Sequence, residues 1–174
     1  MMIVNNLLIP RNLEGRKEKL KQMNIRLLSQ EVIDGNLVLD QSFMDIDVKY
    51  VKLKKVNGDV LLAGGKWVEI PEWLKKVEIE GDFSCGYNRL TTLKNCPQMI
   101  GRSFSCLYNN LKNLRGCPEK IVWNFNCSNN NLVSLEDCPK TVEGIFWCHT
   151  NNVELKLPDH VKLKGSFYNS ISFL

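Results

Sequence analysis

The sequence predicts a repeat solenoid of the α/β class, rich in β-structure, with about seven coils of one parallel strand each behind an N-terminal helical cap. Three observations carry this. First, Phe125-Asn-Cys-Ser-Asn-Asn-Asn-Leu-Val-Ser-Leu135 repeats Phe104-Ser-Cys-Leu-Tyr-Asn-Asn-Leu-Lys-Asn-Leu114, which repeats Phe83-Ser-Cys-Gly-Tyr-Asn-Arg-Leu-Thr-Thr-Leu93, at a spacing of 21 residues. Second, the frame extends in both directions as a column Leu37, Val60, Phe83, Phe104, Phe125, Phe146, Phe167, each preceded by four residues by an apolar one: Ile33, Val56, Ile79, Ile100, Ile121, Val142, Leu163. Third, all seven cysteines obey the same frame, Cys85, Cys106, Cys127 and Cys148 at one position and Cys96, Cys117 and Cys138 at another. A fixed period of this size means coils that bury their apolar faces only against their neighbours.

Residues 1–32 stand outside the repeat. Leu13, Leu20, Met23, Leu27 and Leu28 fall near helical spacing with basic residues between them, which predicts an amphipathic helix over about 12–28, after a short apolar segment ended by Pro10. A solenoid needs such a cap, because its first coil otherwise exposes an apolar end. The cap and the repeat, 33–174, are expected to form one structural unit.

Within the coils, alternation points Phe and Cys inward from a strand, while the next apolar column, Met44, Trp67, Leu90, Leu111, Leu132, Val153 and Leu174, follows the exit from it. The return side is built differently along the chain. Pro71-Glu-Trp-Leu-Lys-Lys76 predicts one helical turn, and Cys96-Pro97, Cys117-Pro118 and Cys138-Pro139 predict tighter turns, because proline lacks the amide donor that a strand needs. Asn88, Asn109, Asn130 and Asn151 occur where the chain leaves the strand, and a buried carboxamide can satisfy backbone groups there. Ser42, Gly65 and Ser172 interrupt that column, so the terminal coils are expected to be less rigid.

The spacing Phe-x-Cys-x-x-Asn-x-Leu-x-x-Leu resembles Leu-x-Leu-x-x-Asn-x-Leu of the leucine-rich repeat family, and Leu-x-x-Cys-Pro-x-x-Ile is similar to the short return of repeats in secreted bacterial effectors. The whole phrase resembles repeat proteins of tailed bacteriophages and bacteria. The resemblance covers about residues 33–174 and is strongest over 79–153. It implies an asparagine ladder and an interaction role.

Composition bounds the remaining choices. With 23 basic and 19 acidic side chains the net charge is +4, too small to point to a polyanion partner. No apolar run reaches the length of a membrane span, and Met1–Pro10 lacks the basic start of a signal peptide, so a cytoplasmic location is expected. In-register thiols on parallel inward vectors disfavour disulfides, and no Cys-x-x-Cys pair supports a metal site. Cys148 and His149 adjoin, but alternation sends one inward and the other outward, which defeats a nucleophile pair. No acid, base and nucleophile converge, so neither an enzyme nor a cofactor is expected.

The expected function is therefore protein binding. The concave face should present Tyr87, Leu107, Tyr108, Trp147, His149 and Tyr168 among small residues such as Asp82, Ser103, Asn124 and Ser128, and exposed aromatics are characteristic of binding hot spots. A second expected surface is a C-terminal docking edge of Phe167, Ile171, Phe173 and Leu174, through which a second copy or a partner would dock. If the phage resemblance holds, the partner is a host or defence protein in the host cytoplasm, which this chain would bind or inhibit. The alternative is nucleic-acid binding through Lys49, Lys52, Lys54, Lys55 and the basic helix.

Overall fold

The computed structural model describes residues 3–4, 7–8, 13–152 and 154–169. Two short strands, Ile3–Val4 and Leu7–Leu8, pair antiparallel, and the helix Leu13–Leu28 follows. The rest winds as a parallel β-solenoid. Its front sheet runs Leu37–Leu39, Val60–Leu62, Phe83–Ser84, Phe104–Ser105, Phe125–Asn126, Phe146–Trp147 and Phe167–Tyr168, stacked in chain order. These strands define the first to seventh coils, so six complete turns separate the first strand from the last. Every pairing keeps the repeat frame, Phe104 opposite Phe83 and Phe125, and Phe146 opposite Phe167.

Beyond the one strand per coil that the repeat predicts, each coil carries a second two-residue strand on its back, at the apolar column four residues earlier. These back strands form two parallel sheets, from Val32–Ile33 to Met99–Ile100 and from Lys120–Ile121 to Lys162–Leu163. Front and back meet at a corner occupied by glycine in most coils: Gly35, Gly58, Gly81, Gly144 and Gly165. A Cβ on Gly81 would overlap Asp59 Oδ1 and lie 2.6 Å from the Gly58 carbonyl carbon. The fourth and fifth coils have Arg102 and Trp123 there instead, and the back sheet divides between these two coils.

The core is the stack of inward columns. Phe83, Phe104, Phe125 and Phe146 are fully buried, with ring centroids 5.5, 5.5 and 4.8 Å apart. Cys85, Cys106, Cys127 and Cys148 lie beside them, and all seven cysteines are free thiols. Burial pushes these thiols up, those of Cys138 and Cys148 to about 12, so they serve as small apolar side chains.

The asparagine column forms a continuous ladder. Asn109 Nδ2 donates to the carbonyl of Cys106 in its own coil (3.1 Å) and of Cys85 in the coil before (3.0 Å), while its Oδ1 accepts the Leu90 amide at 2.9 Å. Asn88, Asn130 and Asn151 repeat the pattern, so each exit loop is stitched to its predecessor.

In the first two coils other side chains take over where this column lacks asparagine. At Ser42 the cap helix supplies an asparagine, Asn24, whose Nδ2 donates to Ser42 Oγ at 2.7 Å. At Gly65 the indole Nε1 of Trp67 donates instead, to Leu39 and Ala63 carbonyls at 3.1 and 3.0 Å. Ser172, like Val153 and Leu174 of the apolar column, lies outside the described residues.

Three further expectations are revised. The helix buries Asn24 and Leu28 and packs Ile25 and Leu27 on the core, whereas Leu13 and Leu20 are exposed. Its contact face is therefore narrower than the leucine spacing implies. Met44 is exposed, because Phe43 of the 3-10 turn Gln41–Phe43 and Ile46 after it fill the first coil's interior. Pro71 caps the turn Glu72–Lys76 from outside rather than opening it.

Candidate binding face

The front of the solenoid carries six large side chains singled out in the sequence, and the structure arranges four of them as two stacks. Tyr87 and Tyr108 lie on the loops that leave the third and fourth strands, with ring centroids 4.7 Å apart and planes 17° from parallel. That separation matches the spacing of neighbouring strands, so the pair runs along the solenoid axis. Trp147 and Tyr168, directly opposite in the sixth and seventh strands, stack at 6.3 Å and 15°. Between the stacks the fifth coil presents Asn126 and Asn129.

Backbone geometry separates the first stack from the second. Tyr87 and Tyr108 have φ of +54° and +51°, as do Asn129 and Thr150 at the same repeat position with +54° and +53°, and Gly64 has +97°. From the second coil to the sixth the loop takes a left-handed residue there, because the chain must turn inward to aim the following residue at the ladder. Glycine and asparagine adopt that conformation at little cost, whereas a bulky residue loses about 1 kcal/mol. A stacked ring pair returns roughly 0.5–1.5 kcal/mol, less than two strained tyrosines cost. Folding alone would therefore favour asparagine at both positions. Tyr87 is nevertheless 66% exposed and Tyr108 47%.

The other members are less prominent. Leu107 is half-buried and lies over Gly86, where a Cβ would come within 2.8 Å of its Cδ2. His149 is half-buried with Nδ1 3.1 Å from Thr150 Oγ1, on the opposite side of the strand from the buried Cys148. Tyr168 is half-exposed, and Trp147 is half-buried.

Several small residues expected on this face are structural. Ser128 is fully buried, and its hydroxyl, like that of Ser105, has no hydrogen-bond partner in the structure. Asp82, Ser103 and Asn124 belong to a second polar ladder along the corner. Asn36 accepts the amide of Asp59 at 2.8 Å, Asp59 that of Asp82 at 2.9 Å, Asp82 that of Ser103 at 2.8 Å, and Asn124 that of Ile145 at 2.8 Å. Side-chain oxygens one residue before each of the first five front strands thus satisfy amides of the next coil.

Of the C-terminal docking edge, Ile171, Phe173 and Leu174 lie outside the described residues. Phe167 is half-buried and meets Phe146 edge-on at 5.4 Å. The sequence reading missed Trp123, which is 53% exposed with the Arg102 guanidinium 5.4 Å from its ring centroid. Its signal was available, since Trp123 and Arg102 break the corner glycine column.

The lysines of the nucleic-acid alternative are largely neutralised. Lys49 pairs with Asp47 at 2.8 Å, Lys54 with Glu31 at 2.8 Å, and Lys55 with Glu78 and Glu80. Such pairs continue on the back, where Glu143 sits between Lys120 and Lys164 at 2.8 and 2.9 Å, which hold its carboxyl down at about 2. Among the described residues no cluster of metal-ligating side chains occurs, and no helix is long and apolar enough to cross a membrane.

Comparison with protein families, curated proteins and solved structures found no match to the chain. The chain is a parallel β-solenoid of about 21 residues per coil, with an N-terminal helix on its first coil.

Proposed function

We propose that this solenoid is a non-enzymatic protein-interaction module that holds a protein partner on its front face through Tyr87, Leu107, Tyr108, Trp147, His149 and Tyr168. The observation that carries the reading is the Tyr87–Tyr108 pair, two bulky side chains kept in a left-handed conformation, stacked and exposed, where the fold is served at lower cost by asparagine. The resemblance of the repeats to leucine-rich repeats of the short bacterial and bacteriophage type supports the same role. On that resemblance the partner is a host or defence protein, and binding inhibits it.

The test is retention of a protein from a lysate of the native cellular context, compared between the wild type and a folded Tyr108→Ala, Trp147→Ala, Tyr168→Ala variant. A protein retained by the wild type and lost by the variant is the expected result. Equal retention removes the front face from consideration. Retention of nucleic acid that falls steeply with salt replaces the reading with its alternative.

A further inference from the structure

The Tyr87–Tyr108 stack has an unoccupied next place. In the loop column that holds the two rings, the second coil has Gly64, followed by Gly65, with φ of +97° and +66°. The glycines bring no ring of their own onto the face of Tyr87 that looks toward the first coil, and Tyr87 is 66% exposed although Tyr108 covers its other face. The Gln41 carboxamide reaches over Gly64 from the first coil, its Nε2 donating to the Gly64 carbonyl oxygen at 3.3 Å and lying 3.1 Å from where a Cβ on Gly64 would stand. The floor is glycine backbone together with this carboxamide, and Leu61, three residues before Gly64, is exposed. Each coil advances by about one strand spacing, roughly 4.8 Å, so a flat ring placed over the glycine step continues the stack at the separation that Tyr87 and Tyr108 already keep.

Charge narrows the occupant. Two residues further along the exit loops stand Lys66 and Arg89, both exposed, and among the described residues neither has an ion-pair partner, in contrast to Lys54 and Lys55 on the back. The same position in the fourth and fifth coils is Asn110 and Asn131, so the positive charge ends where the tyrosine pair ends. A nucleic-acid strand needs a longer cationic track than two side chains. A short peptide loop with an aromatic residue beside one or two carboxylates needs no more than this.

We infer that the Gly64–Gly65 step is an anchoring site for an aromatic side chain of the partner protein, which stacks on the open face of Tyr87 with a neighbouring carboxylate on Lys66 or Arg89. The inference rests on the proposed function and specifies its contact chemistry.

The test titrates the labelled protein with the peptide acetyl-Asp-Glu-Trp-Glu-Asp-amide and follows the Gly64 and Gly65 amide resonances. Controls are the peptide with Ala for Trp, the peptide with Lys for its acidic residues, and an eight-residue oligothymidylate. Saturable shifts of both glycine amides by the first peptide are expected, at least tenfold weaker for either control peptide and for the Tyr87→Gly protein. Tyr87→Gly removes the ring while keeping a residue suited to φ of +54°, so the fold is retained. Absence of shifts, shifts equal for the Ala peptide, or tighter binding of the oligonucleotide overturns the inference. If Tyr87→Gly retains the lysate partner that the Tyr108, Trp147, Tyr168 variant loses, the anchoring site is refuted while the binding face stands.

Discussion

The indole Nε1 of Trp67 donates to the carbonyl of Leu39 at 3.1 Å, reaching back one coil as the ladder asparagines do. Two consecutive left-handed glycines, Gly64 and Gly65, reroute the loop where an asparagine would otherwise stand, and a residue two positions on supplies the missing donor. Trp67→Phe should therefore destabilise the protein by about 2 kcal/mol, through the lost indole donor and the smaller buried ring. Asn109→Ala should cost more, about 3 kcal/mol, because it strips buried carbonyls of Cys85 and Cys106 and the Leu90 amide of their partner. Denaturant unfolding of both variants checks the ranking, and the reverse order would show that the ladder is not what holds the coils together.

The corner glycines make a second prediction. Gly81→Ala forces a Cβ against the Gly58 carbonyl carbon at 2.6 Å, a backbone contact that cannot rotate away, so a loss above about 2 kcal/mol is expected. At the equivalent corner of the fifth coil Trp123→Ala should change stability by less than about 1 kcal/mol, since it removes only an exposed ring and its Arg102 contact. Thermal unfolding of the pair is the measurement.

The tyrosine pair should separate stability from binding. Replacing Tyr87 and Tyr108 by asparagine relieves two strained residues and removes one stack, so stability should stay the same or rise by up to about 1 kcal/mol. Partner retention should fall in the same protein. A marked loss of stability would mean that the stack serves the fold.

Glu143 gives a pH signature. Lys120 and Lys164 depress its carboxyl from 4.5 to about 2 in the folded protein, so its contribution is fully present above about pH 4.5 and disappears as pH falls toward 2. The difference in melting temperature between wild type and Glu143→Gln should therefore shrink between pH 6 and pH 3. Added salt should reduce it too, because the pair is at the surface. A difference that grows on acidification would contradict the assignment.

Much of this architecture is legible in the chain. The period, the inward Phe and Cys columns and the ladder from Asn88 to Asn151 follow from alternation within one strand and its exit, which is local information repeated at fixed spacing. The helix Leu13–Leu28 was equally legible, although its burial was not, since Leu13 and Leu20 suit a stripe that the first coil does not reach. The second ladder through Asp59, Asp82 and Asn124 escaped because single polar residues beside a strand look like surface, and only register shows each oxygen meeting an amide of the next coil.

The sequence by itself determined a coiled stack of about 21 residues per turn and named the aromatic residues on its front. The tertiary structure decided which of them act together. Tyr87 and Tyr108 become a strained, axial stack beside an open glycine step only once the backbone turns left-handed after the strand and neighbouring coils align. Those are relations of dihedral angle and register between residues a full coil apart, and side-chain type alone does not encode them.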